Sequence, residues 1–394
     1  MGQNAAVHIG LSPEHLALRD ELRAYFADLV TPELRAEGAE SAGPLTKAAL
    51  RKLGADGWLG FGWPVEWGGQ GRTPIEQQIF IEEAHSAGAP VPLLTINSVG
   101  PTLMRFGTDE QKAFFLPKIL AGEIQFAIGY SEPGAGTDLA ALRTRADRDG
   151  DEWVINGQKI YTSIAEHADY VWLACRTDQE APRHKGISII IVPTDAEGFS
   201  VTPIRIMGGG RTNSTYYDDV RVPVGNLVGE LNGGWNLVTN QLNHERVAIA
   251  PAGWVVRRLN ETTEWAKATR LPDGRRVIDQ EWVQVNLARV RSRLEYLRLL
   301  NWKVAWSATV GHVSPADASA TKVFGTEFFL EAYNLLMEVI GPESALRDEQ
   351  AAKLRDRLES TYQGTLVLTF GGGTNEVQRD LISMFGLGFP RAKR

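Results

Sequence analysis

A chain of 394 residues is too long for one ordinary core and long enough for two or three packed modules. Its 43% apolar content with interspersed charge excludes a disordered chain and reads as soluble and globular. A net charge of −7 argues against nucleic acid as the main partner, and a single cysteine excludes an internal disulfide and fits a reducing compartment.

The first residues, Met1-Gly2-Gln3-Asn4-Ala5-Ala6, carry neither a basic n-region nor an apolar h-region, and position 6 lacks the hydroxyl of a myristoylation signal. No apolar run is long enough to span a membrane, so the expected location is the cytoplasm. Residues 11 to about 125 read as helices. Ser12 caps the first, Pro13 takes its opening position, and Leu18, Leu22, Tyr25 and Leu29 recur at helical spacing. Thr73-Pro74-Ile75-Glu76 and Thr108-Asp109-Glu110-Gln111 read as capping boxes. Between them lies an aromatic and glycine-rich loop, Gly60 to Gly69.

From about 126 to 227 the period changes. Trp153-Val154-Ile155, Tyr170 to Cys175, Ile187 to Val192, Val201 to Ile206 and Thr215 to Val222 are short β-branched or aromatic runs, which suggests a compact antiparallel module. Cys175 sits in one of these runs and reads as a buried strand thiol. Asn156-Gly157 reads as a hairpin signal. After Gly233-Gly234 the helical period returns. One pattern covers 235 to 268 with a kink expected at Pro251, another 277 to 309, a third 315 to 339, and a last helix precedes Phe370-Gly371-Gly372-Gly373-Thr374.

The stretch that carries chemistry is Ile128-Gly129-Tyr130-Ser131-Glu132-Pro133-Gly134-Ala135-Gly136-Thr137-Asp138. Glycine lets a backbone approach a ligand closely, and successive exposed N–H groups in such a turn cradle a phosphate or another electron-rich edge. Ser131 and Thr137 add hydroxyl donors. A lone Gly-x-Gly is more often a plain surface turn. Here the turn is long and has a companion, Lys159-Ile160-Tyr161-Thr162-Ser163. Together they resemble the flavin-binding signature of the acyl-CoA dehydrogenase family, a Thr/Ser-Glu-Pro-Gly-Ala-Gly-Ser-Asp turn followed by a Trp-x-Thr strand. The Gly60–Gly69 loop is similar to the family's Pro-x-x-Tyr-Gly-Gly loop, and Tyr217 to Pro223 to the strand that leaves its middle domain.

The resemblance implies an α+β chain with the acyl-CoA dehydrogenase-like fold: an N-terminal helical domain (1–125), a middle antiparallel β domain with the flavin-ring motif (126–227) and a C-terminal four-helix bundle (228–394). It implies FAD as cofactor, an acyl-CoA thioester as substrate and an electron-transfer flavoprotein as acceptor, with no metal site. Tyr130, Ser131, Gly136, Thr137, Tyr161, Ser163 and Thr374 are the implied cofactor contacts, Tyr161 standing where the family usually has Trp. The family reaction removes an α proton, stabilises charge on the thioester oxygen and passes a hydride to the flavin. In much of the family a glutamate precedes Gly-Thr before the final helix. Here Gly372 stands in its place, keeping only a backbone N–H for the thioester oxygen. Glu376 reads as an acid at a helix start. A minority of the family carries the base on another helix just before an arginine, and Asn243-His244-Glu245-Arg246-Val247 matches that pattern. Glu245 is then the expected base and Arg246 a substrate-side residue.

The family also completes each FAD site with an Arg-x-x-Phe-Gly segment and a Gln-x-x-Gly-Gly-x-Gly loop from a neighbouring chain. This chain has Leu271-Pro272-Asp273-Gly274-Arg275-Arg276-Val277 and Glu338-Val339-Ile340-Gly341-Pro342-Glu343-Ser344 instead. Carboxylates repel a pyrophosphate, and Pro342 removes a donor. Such half-sites resemble the subunits of heteromeric steroid side-chain acyl-CoA dehydrogenases of sterol-degrading bacteria. That implies a bulky steroid substrate and a sister subunit in an α2β2 assembly. Two alternatives stay open here: an acyl-CoA oxidase or flavin monooxygenase on the same fold, and a non-catalytic partner subunit.

Overall fold

The computed structural model describes residues 10–40, 42–239, 241, 250–311, 313–341 and 348–390. The helices α1 (Pro13–Leu29), α2 (Pro32–Glu40), α3 (Pro44–Ala55), α4 (Pro74–Ala87), α5 (Gly100–Phe106) and α6 (Asp109–Leu120) come first. Their starts are set locally. Ser12 accepts from the His15 N–H, and reciprocal capping boxes form at Thr73/Glu76 and Thr108/Gln111, as the spacing predicts.

Eight strands follow: β1 (Phe126–Gly129), β2 (Arg145–Asp149), β3 (Glu152–Lys159), β4 (Tyr170–Arg176), β5 (Ile187–Pro193), β6 (Phe199–Arg205), β7 (Arg211–Pro223) and β8 (Leu227–Val228). They form one sheet in the order β6-β7-β3-β2-β4-β5-β8, with β1 paired to β4. Both faces of the central strands β4 and β5 are buried, and the period of two shows which residue goes where. Trp172, Ala174, Ile189 and Ile191 join the core of the N-terminal helices. Val171, Leu173, Cys175, Ile190 and Val192 join a second core with Trp153, Ile155 and Tyr217 on the other face. A fully buried Val, Leu or Ile contributes about 1.5–3 kcal/mol, against about 1 kcal/mol net for a ladder hydrogen bond. Two-sided burial therefore dominates at β4 and β5. Burial pushes the Cys175 thiol up to about 12, as befits an inert strand residue.

Two readings of this region need correction. Most pairings are antiparallel, but β1 runs parallel to β4, and the single β2–β4 contact is parallel as well. Asn156-Gly157 is not a hairpin turn. It lies inside β3, where the register with β7 shifts between Ile155 and Gly157. A Cβ on Gly157, at φ 152°, would stand 2.7 Å from the Thr144 backbone, so close approach explains the glycine. Asn156 exchanges two hydrogen bonds with Asp219, which pins the bulge. The β2–β3 hairpin turns instead at Gly150-Asp151.

Residues 234–239 and 241 are helical. Pro251 does not kink a continuous helix: residues 250–252 are non-helical and α7 (Gly253–Ala268) starts afresh. A Cβ at Gly253 would lie 2.3 Å from the Glu82 carbonyl oxygen, so α7 begins where its backbone presses on α4. Helices α8 (Glu281–Thr309), α9 (Pro315–Ile340), α10 (Glu349–Thr365) and α11 (Asn375–Gly386) complete the bundle around Phe328, Phe329, Tyr333 and Leu336. Among the described residues no helix is long and apolar enough to cross a membrane.

Helix α4 ties the two helical parts together. Glu82 pairs with Arg298 of α8 at 2.6 Å. His85 meets Trp254 of α7 edge-on at 5.3 Å, with its Nδ1 2.8 Å from the Ile81 carbonyl. Burial pushes this imidazole down to about 4. The folded chain thus keeps His85 neutral where the unfolded chain takes up a proton below about pH 6.5. Stability is expected to fall as pH drops from about 6.5 towards 4. Melting temperature measured against pH checks this, and His85→Gln is expected to flatten that part of the profile.

Candidate active site

The glycine-rich turn follows β1, and the companion segment follows β3. The structure brings them together. Ile160 N–H donates to the Ser131 carbonyl at 2.8 Å, and Glu132 and Ala135 exchange backbone hydrogen bonds at 3.0 Å. Beneath the turn lies a pair that the motif alone did not signal. Lys159 is fully buried at the end of β3, and its Nζ donates to Glu132 Oε1 at 2.8 Å and to the Tyr130 carbonyl at 3.0 Å. The Glu132 carboxylate also accepts from the backbone N–H groups of Arg143 and Thr144, at 2.7 and 2.8 Å. Burial works against the Glu132 charge, but Lys159 and these donors hold its carboxyl below the usual range. A buried ion pair fixes geometry more surely than it adds stability. Lys159→Met strands the Glu132 charge and is expected to destabilise the fold by about 3–5 kcal/mol. The double variant with Glu132→Leu is expected to recover part of that loss. Thermal or denaturant unfolding of both variants measures this.

The upper surface of the turn is open. A Cβ on Gly134 or Gly136 would meet nothing within 4 Å, and Thr137 is exposed beside them. Tyr161 holds a positive φ of 60° and leaves 64% of its surface exposed. A tyrosine in that conformation costs free energy, and it persists because the hydrogen bonds of Ile160 and Thr162 on either side fix the backbone. Thr162 N–H donates to the Asn213 carbonyl at 2.9 Å, and Ser163 Oγ lies 3.3 Å from Thr212 Oγ1.

Tyr130 connects the turn to the helix after the sheet by donating its hydroxyl to Gln241 Oε1. Gln241 is buried, and its Nε2 has no acceptor among the described residues. A buried amide donor left open beside the turn is a feature that sequence reading missed. Glu245 and Arg246 lie outside the described residues, as do Pro342, Glu343 and Ser344.

At the end of the bundle, Gly372 and Gly373 take left-handed φ values of 65° and 87°. Thr374 is the N-cap of α11 and accepts from the Val377 N–H. The Glu376 carboxyl is held below its usual range by its own backbone N–H and the Thr374 hydroxyl, which fits a helix-start acid rather than a base. The β6–β7 turn reaches this end of the bundle, where Ser360 Oγ of α10 donates to the Gly208 carbonyl at 2.5 Å. No hydrogen bond among the described residues joins the 372–374 loop to the glycine-rich turn.

Profiles of the acyl-CoA dehydrogenase N-terminal, middle and C-terminal domains match residues 12–123, 127–220 and 232–387. The chain belongs to the acyl-CoA dehydrogenase family. It is 57% identical to acyl-CoA dehydrogenase FadE26 of Mycobacterium tuberculosis over 98% of this chain and 100% of that one. A chain of the ChsE4–ChsE5 complex from Mycobacterium tuberculosis superposes with a TM-score of 0.91 at 58% identity, covering 98% of this chain and 100% of that one. A chain of the Tcur3481–Tcur3483 steroid ACAD gives 0.92 at 50% identity, again over 98% and 100%. The fold is therefore that of this family, and the chain is an acyl-CoA dehydrogenase.

Members of the family are flavoproteins, and the dehydrogenase has a donor set that suits the ring end of a flavin. The open glycine turn, the Ser131 and Thr137 hydroxyls, the exposed Tyr161 ring and the unpaired Gln241 amide all suit a flat, carbonyl-bearing ligand. In the 271–277 segment Arg275 is tied to Asp273 at 2.8 Å and Arg276 to Asp279 at 2.6 Å, so both cations pair with carboxylates close by in sequence. These bonds to Arg276 bring the Asp279 carboxyl down to about 2.

Proposed function

We propose that the dehydrogenase is one subunit of a heteromeric, FAD-dependent enzyme that desaturates a steroid side-chain acyl-CoA between its α and β carbons. The observation that carries this reading is identity of 50–58% over the full length to chains of two-component complexes, one of them a steroid ACAD. The half-site supports it independently: the ring motif is intact, whereas Arg275 and Arg276 are engaged and Glu338 stands in the other loop.

When bound, FAD supplies the hydride acceptor for the substrate β carbon. Tyr130, Ser131, Gly136, Thr137, Tyr161 and Ser163 would hold its ring end, with Thr374 as a further contact. Glu245 takes the α proton. The Asn243-His244-Glu245-Arg246-Val247 pattern and the absence of a carboxylate at Gly372 support this assignment. Arg246, the next residue in the sequence, serves the substrate side. The Gly372 N–H donates to the thioester oxygen, where negative charge develops as the proton leaves. An electron-transfer flavoprotein reoxidises the enzyme. Faster reoxidation by air than by such a protein would mark an oxidase instead.

Apolar surface supports the sister subunit. Phe385, Leu387 and Phe389 at the end of α11 are each more than half exposed, as are Trp306 and Val310 at the α8–α9 turn. A Cβ on Gly386 would lie 3.0 Å from Ala316 Cβ, so both groups occupy the same end of the bundle. Exposed apolar clusters of this kind mark interaction surfaces.

The substrate reading predicts a preference. A steroid side-chain thioester is expected to exceed a straight medium-chain thioester in kcat/KM when the two compete for the assembled enzyme. Equal or better use of the straight chain would reject it.

A further inference from the structure

Lys322 of α9 is fully buried, and the mechanism above gives it no part. Its Nζ donates to the Thr369 carbonyl at 3.2 Å, the Gly373 carbonyl at 2.9 Å and Asn375 Oδ1 at 2.7 Å. These acceptors flank the loop that carries Gly372. Asn375 is itself braced by Thr326 and Glu327, at 3.1 and 3.2 Å, and Gln378 Nε2 holds the Gly372 carbonyl at 3.2 Å. Both glycine carbonyls are thus committed to side chains of the bundle. The N–H groups of Gly372 and Gly373 find no backbone acceptor among the described residues.

We propose that Lys322 is the positioning residue of the substrate loop, setting the Gly372 N–H and placing a buried positive charge behind the thioester oxygen. An ammonium has three donors, and the loop supplies an acceptor for each of them. A neutral amide could hold part of this loop without the cost of burying a cation. The charge gains its use when negative charge builds on the thioester oxygen, since a fixed charge in a site shielded from water acts strongly on the developing oxyanion. This need is sharper here because the loop has glycine at 372 and brings no carboxylate of its own. The inference rests on the reading that the Gly372 loop meets the thioester.

The test uses the assembled complex and two matched probes, the CoA thioester of a steroid side-chain acid and its 3-oxo counterpart, which ionises at Cα to an enolate. Lys322→Gln keeps amide donors and removes the charge. It is expected to weaken binding of the 3-oxo thioester by at least about tenfold while the saturated thioester loses about threefold or less. Equal effects on both probes, or none, would overturn the proposal and leave Lys322 a structural residue. Gly372→Ala separates the two claims, because alanine strains the left-handed loop position. If Gly372→Ala alters binding while Lys322→Gln leaves the discrimination intact, the proposal fails and the loop reading stands. If Gly372→Ala leaves both affinities at the parent value, the loop reading fails and takes the proposal with it. Should Lys322→Gln not assemble, Asn375→Ala keeps the ammonium but removes its 2.7 Å acceptor. It is expected to lower the same discrimination by at least about threefold, and no change would again overturn the proposal.

Discussion

Replacing Glu245 by Gln is expected to lower steady-state dehydrogenation by about two orders of magnitude or more, with flavin content unchanged. The loss of a positioned general base is worth about 10²–10⁴-fold. The alternative carboxylate in the region is Glu376, whose own helix start holds its proton affinity down. The residue in the usual place of the base is Gly372, which cannot take a proton. Glutamine preserves the size of the side chain, so the experiment isolates proton transfer. Near-normal turnover in Glu245→Gln, with Glu376→Gln inactive, would transfer the role to the loop side. Single-turnover reduction of the flavin by substrate, followed by its absorbance, separates this loss from any change in the later electron transfer.

The dehydrogenase expressed alone is expected to hold almost no flavin, and co-expression with its sister chain is expected to restore colour and activity together. In a homo-oligomer each FAD pyrophosphate would face this chain's own Glu338 and Glu343 loop. One pair of like charges 4 Å apart costs about 4 kcal/mol at an effective dielectric of 20. A single hydrogen bond returns about 1 kcal/mol net, too little to offset two such pairs. The cations that would help are spent nearby, Arg275 on Asp273 and Arg276 on Asp279. Glu338 also accepts from Asn286 Nδ2 at 3.1 Å, a bond that its carboxylate would have to share. Absorbance of the purified lone chain at flavin wavelengths, compared with the co-expressed pair, measures the difference. A yellow, fully active homo-oligomer would contradict the half-site account.

What the sequence revealed was local. Capping boxes at Thr73 and Thr108 involve partners three residues apart, and both formed as spacing requires. The strands with alternating or continuous apolar runs were legible for the same reason. Asn156-Gly157 misled because its glycine answers to Thr144 on the neighbouring strand and its asparagine to Asp219, contacts that no local rule contains. The parallel pairing of β1 with β4 likewise depends on a long crossover. In the candidate site, the glycine turn and the Tyr161 segment were readable as motifs. The contacts of the two buried lysines, one under the glycine turn and one behind the Gly372 loop, were not. Lys159 finds Glu132 across 27 positions, and Lys322 finds its loop acceptors 47 to 53 positions on. Gln241 gave no signal at all, because its interest lies in an amide that finds no acceptor among the described residues.

The central claim is that this chain supplies one half of each flavin site and a sister chain the other. Native mass spectrometry of the complex isolated from its own host tests it most directly. The account predicts two copies of this chain, two copies of a sister acyl-CoA dehydrogenase-like chain and two FAD, in keeping with closed two-fold symmetry. A homotetramer of this chain alone, with one FAD bound to every subunit, would contradict it.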